Sequence, residues 1–93
     1  MTVQTIPDIT PNGAATPLSA TSLLAAWVNA AASGTSIRFG DSHVGSARGV
    51  LLPTNVVVAV AVRCDFDQQP YDLSQLYVYG ASGTDKVSIT YGS

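Results

Sequence analysis

The sequence predicts an all-β fold, and three observations carry that prediction. Turn signals recur along the chain at Asn12-Gly13, Ser33-Gly34, the glycine-rich stretch 40–49, Pro53-Thr54-Asn55, Asp67-Gln68-Gln69-Pro70 and Ser82-Gly83. The runs between them are rich in Val, Ile, Thr and Tyr, side chains that suit a pleated, half-buried surface. At the carboxyl end, Lys86-Val87-Ser88-Ile89-Thr90-Tyr91 alternates strictly. Val87, Ile89 and Tyr91 share one face while the polar residues share the other, the period of a strand with one wet side. Short strands at such intervals read as an antiparallel β-sandwich or barrel. The 93 residues have room for one domain with one modest core.

Residues 1–17 carry Pro7, Pro11 and Pro17. They are expected as an extended N-terminal arm with one turn at Asn12-Gly13, able to lie along a neighbour's sheet edge. The compact domain is then residues 18–93. Residues 22–34 admit two readings. Leu23, Leu24, Trp27, Val28 and Ala31 fall at helical spacing, alanine favours helix, and Gly34 could end one; a strand is the alternative.

Ile37 and Phe39 face inward on the next strand, with Ser36 and Arg38 outward. Residues 56–62, VVVAVAV, are apolar on both faces. Such a strand is expected at the centre of a covered sheet or against a neighbouring subunit, because at a free edge it invites aggregation. In residues 76–79, Leu76 and Val78 point one way and Tyr77 and Tyr79 the other. The Ser82-Gly83 turn is expected to join this strand to residues 86–91 as an antiparallel hairpin. The expected core therefore comprises Trp27, Ile37, Phe39, Leu76, Val78, Val87 and Ile89. The expected interface comprises Val56, Val58, Val60, Val62, Tyr77 and Tyr79.

Charge narrows the function. Charged residues make up 11% and hydrophobic ones 46%, for a net charge of −2. The four bases, Arg38, Arg48, Arg63 and Lys86, are scattered singly. No nucleic-acid partner is expected, since phosphates need clustered cations. A small domain with so little charge points to a surface covered by another subunit or a larger assembly. The seven-residue apolar run is far shorter than a membrane span, and the start of the chain lacks the pattern of a secretory signal. A soluble protein made in a reducing cytoplasm is expected, without cofactor or membrane partner.

One stretch could be mistaken for an active site. In Phe39-Gly40-Asp41-Ser42-His43, a Gly-Asp-Ser block follows a strand, as it does in one family of serine esterases. That chemistry needs a base, an orienting acid and oxyanion donors, which those enzymes bring from separate sequence blocks absent here. Residues adjacent on an extended chain point to opposite faces, so Asp41, Ser42 and His43 do not form a triad by being contiguous. A strand-end turn is the preferred reading, and no enzyme activity is expected. A small esterase using Ser42 is the remote alternative.

Three other constellations weigh less. Cys64 stands alone, so no internal disulfide forms; a dyad with His43 would lack a third group. Asp65, Asp67 and Asp72 match no calcium loop, and no metal site is expected. Trp27, Tyr71, Tyr77 and Tyr79 could build an aromatic face for glycan. Core and interface use is the preferred reading of these rings.

Three stretches, AAWVNAAASG (25–34), IRFGDSHVGSARGVLLP (37–53) and YDLSQLYVYGASGTDKVSITYG (71–92), together resemble a group of small all-β virion proteins of tailed bacteriophages. The resemblance extends from Ala25 onward and consists of structural punctuation rather than chemical motifs. It implies a jelly-roll-like fold and residues 25–32 as a strand with Trp27 anchoring its packing. The role it implies is head decoration (cement): binding the major capsid protein on the outer capsid surface, often as a homotrimer. No catalytic residue carries over; a glycan- or host-surface-binding module of a phage tail or fibre is the alternative.

Overall fold

The computed structural model describes residues 3–62 and 71–92, with residues 61 and 62 as backbone alone. The fold is all-β. Strands β1 (Val3–Ile9), β2 (Thr16–Pro17), β3 (Leu24–Ala25), β4 (Trp27–Ala32) and β5 (Arg38–Gly40) form the outgoing half. The returning half is β6 (Val50–Leu51), β7 (Val58–Val62), β8 (Tyr71–Asp72), β9 (Tyr77–Tyr79) and β10 (Val87–Gly92). One short 3₁₀ turn, Leu73–Gln75, interrupts the return.

The two halves are nested. β1 pairs with β10, β2 with β9, β3 with β8, β4 with β7 and β5 with β6, all antiparallel. The chain is thus one long hairpin whose apex is the stretch between β5 and β6. Two further pairings, β10 with β4 and β5 with β9, roll this hairpin into two four-stranded sheets. Their orders are β1-β10-β4-β7 and β2-β9-β5-β6.

The core lies between the sheets. From the first come Val28, Ala30 and Ala32 of β4 and Val87, Ile89 and Tyr91 of β10, all buried. Ile37, Val78, Leu18 and Leu52 close it from the side of the second. Each fully buried aliphatic side chain contributes about 1.5–3 kcal/mol relative to exposure. Alternation decides the ambiguous segment 22–34: burial along β4 switches at every residue, which only a strand can produce.

Several expectations are corrected. Residues 76–79 and 86–91 do not form a hairpin, because β9 and β10 belong to different sheets. The turn between them exists, closed by the Asp85 N–H donating to the Ser82 carbonyl (3.2 Å). It crosses from sheet to sheet, so that Val78 and Val87, both fully buried, enter the core from opposite sides. Residues 3–9, expected in an arm outside the domain, are an edge strand of its first sheet, and Thr16–Pro17 an edge strand of its second.

Trp27, expected in the core, is half-buried on the outer face. It precedes inward-pointing Val28, and its indole covers Gly92, its register partner on β10. Phe39 and Leu76 are half-buried and pack against the core without being enclosed by it. The central position considered for residues 56–62 is also overturned. Asn55 turns the chain at φ 60°, the strand begins at Val58, and β7 is an edge of the first sheet. Its register against β4 slips between Ala59 and Ala61, leaving Val60 as an extra residue. Val58 and Val60, two residues apart and so on one face, both pack against the core.

Candidate functional site

The Gly-Asp-Ser stretch is the apex of the long hairpin. Asp41 accepts the His43 backbone N–H through Oδ1 (2.9 Å), and its carbonyl accepts from the Val44 N–H (3.0 Å). Both bonds belong to a turn built by a short polar side chain. Gly45 and Arg48 exchange backbone hydrogen bonds at 3.1 and 3.3 Å and close the tip. Gly49 sits at φ +104° against Val44, a conformation that glycine adopts without strain. The Arg38 guanidinium donates to the Gly49 carbonyl (2.9 Å) and ties the base of the loop.

This geometry does not assemble a triad. The His43 and Asp41 side chains are 73% and 77% exposed, with Nδ1 and Oδ1 3.8 Å apart. Ser42 between them is exposed as well. Cys64, Asp65 and Asp67 lie outside the described residues. Asp72 is occupied structurally. It accepts from Ser74 Oγ (2.8 Å), the Ser74 N–H (3.0 Å), Ser22 Oγ (2.8 Å) and the Leu23 N–H (3.3 Å). These bonds, led by the Ser74 hydroxyl, lower its pKa from 3.8 to about 2. They cap the 3₁₀ turn and fasten it to the segment entering β3. Among the described residues no three His, Cys, Asp or Glu side chains cluster as metal ligands would, and no helix is long and apolar enough to cross a membrane.

The aromatic side chains are not brought together. Tyr77 and Tyr79 flank inward-pointing Val78 and lie half-buried on the outer side of the second sheet, in register with Gly40 and Arg38. Trp27 lies on the outer side of the first sheet, and Tyr71 stands on β8 opposite Ala25. The expected interface residues are likewise divided between faces. Val56 is exposed before β7, Val58 and Val60 are half-buried on it, and the side chain of Val62 lies outside the description.

What the structure brings together instead is an apolar groove of about 330 Å³ where the edges β6 and β7 approach each other. It is lined by Phe39, residues 50–53 and residues 58–60. Around it project Val50 (68% exposed), Leu51 (50%), Val56 (51%) and Val57 (67%). Among the described residues neither β6 nor β7 has a strand on its far side. Sequence reasoning singled out the stretch 56–62, with Val56, Val58 and Val60 foremost, but missed Val50 and Leu51. The available signal was charge: residues 50–62 contain none.

Compared with known proteins, the chain matches no family model, no curated protein and no solved structure. The described residues form a small all-β sandwich with an exposed apolar edge.

Proposed function

We propose that this protein is a structural virion component of a tailed bacteriophage, a decoration or cement protein. It binds the major capsid protein on the outer surface of the head and stiffens the shell. The observation that carries the reading is the nested strand pairing. With the short β3–β8 pair set aside, it supports a jelly-roll winding, an architecture used by viral capsid and lectin domains. The apolar β6–β7 edge supports a contact role, because exposed apolar patches rimmed by polar residues mark interaction sites. The protein is made in the host bacterial cytoplasm and acts on the virion.

Co-sedimentation of purified protein with empty heads of the phage that carries its gene tests the proposal. Saturable binding at a fixed ratio to the major capsid protein is expected. Absence of binding to heads that otherwise expose their full lattice contradicts it.

A further inference from the structure

We propose that Asn12-Gly13 is a site of spontaneous deamidation that the fold holds closed, reacting when the turn between β1 and β2 opens. The chain has three asparagines, Asn12, Asn29 and Asn55, followed by glycine, alanine and valine in turn. Asparagine is thermolabile because the backbone nitrogen of the next residue can attack its side-chain carbonyl carbon. Glycine has no side chain to obstruct that approach, whereas the branched valine after Asn55 crowds it. Gly13 gives up its amide proton, its nitrogen bonds to Asn12 Cγ, and the Cγ–Nδ2 bond breaks. Ammonia leaves and a succinimide ring closes. Water then opens the ring at either carbonyl, giving aspartate or isoaspartate. Nothing is oxidised or reduced, and solvent water is the only co-reactant.

Solvent reaches the site, since Asn12 and Gly13 are both exposed. Backbone geometry closes it. Asn12 and Gly13 sit at φ 52° and 82°, the two left-handed positions of a tight turn. The Ala14 N–H completes that turn by donating to the Pro11 carbonyl (3.3 Å). The Gly13 N–H, whose proton must leave, donates to the Gly80 carbonyl at 2.7 Å. The Asn12 side chain lies against the turn 82–85, where a Cβ on Gly83 would come within 3.1 Å of its Oδ1. The attacking nitrogen is thus engaged by one segment while the carbonyl it attacks packs on another. Reaction at Asn12 adds one carboxylate and takes the net charge from −2 to −3. Isoaspartate also lengthens the main chain by one methylene, so the Gly13–Gly80 bond is lost and β1 is held less firmly. This chemistry is a property of the chain alone and does not rest on the virion reading.

Ageing of the full chain in mildly alkaline buffer, with and without denaturing guanidinium chloride, tests the proposal. Peptide mapping that separates asparaginyl, aspartyl and isoaspartyl forms reads the result. In denaturant, Asn12 is expected to convert ahead of Asn29 and Asn55. In native buffer at the same pH and temperature, its conversion is expected to slow about tenfold or more, the weight of one backbone hydrogen bond and the turn around it. A folded chain that converts Asn12 as fast as the unfolded one overturns the proposal. So does an unfolded chain in which Asn29 or Asn55 converts first. Protein carrying isoaspartate at residue 12 is expected to melt below the wild type. Asn12→Asp adds the charge without lengthening the chain and tolerates the left-handed turn, so it is expected to melt close to the wild type. An isoaspartate form that melts with the wild type, or Asn12→Asp melting as low as that form, overturns the loosening of β1 by main-chain lengthening.

Discussion

Trp27 lies directly over Gly92 on the outer face of the first sheet, where the two residues are register partners on β4 and β10. A side chain at residue 92 would occupy the space of the indole. The contact locks the last strand to the one that anchors the opposite half of the hairpin.

Gly92→Val should therefore expel the ring and cost about 1–3 kcal/mol, the usual range for overpacking. Because Trp27 is the chain's one tryptophan, its emission reports the change, and a red shift with a lower denaturant midpoint is expected. Unchanged emission and midpoint would contradict the contact.

Ile37, Phe39 and Ser42 should rank in that order by effect on stability. Ile37 is fully buried, Phe39 half-buried at the groove, and Ser42 exposed at the hairpin apex. Ile37→Ala should cost about 2–5 kcal/mol, Phe39→Ala less than Ile37→Ala, and Ser42→Ala within about 0.5 kcal/mol. Urea unfolding of the three variants checks the order. A large loss from Ser42→Ala would mean that the apex does more than turn the chain.

Much of the fold is legible in the sequence, and its failures have physical causes. Val87, Ile89 and Tyr91 declare their shared face, since one side of β10 is buried and the other wet. Residues 22–34 are ambiguous because alanine is small enough to satisfy both periods. Ala30 and Ala32 are buried in the strand, while Ala31 also fits the helical stripe. The supposed hairpin fails because Ser82 and Gly83 specify a turn but not which sheet receives the next strand. The long-range burial of Val78 and Val87 from opposite sides decides that. The Asp41 turn at the apex was readable from short polar side chains after a glycine. The groove was not, because Phe39, residues 50–53 and residues 58–60 meet only through pairing of distant strands.

Asp72 should give the fold a dependence on acid. Its folded pKa of about 2 lies below the ordinary 3.8, chiefly through the Ser74 hydroxyl and N–H and the Ser22 hydroxyl. The stabilisation is present in full above pH 3.8 and is lost as pH falls towards 2. Asp72→Asn should lower the thermal midpoint at neutral pH and flatten the fall in stability between those limits. Thermal melts of both proteins across this window measure it; parallel curves would remove Asp72 as the cause.

Protection of the shell tests the cement reading most directly. Empty heads of the phage that carries the gene should be heated with and without saturating protein, and rupture followed by light scattering. Rupture at a higher temperature is expected when the protein is bound, with the increase scaling with occupancy. Saturated heads that rupture at the same temperature as bare ones would contradict it.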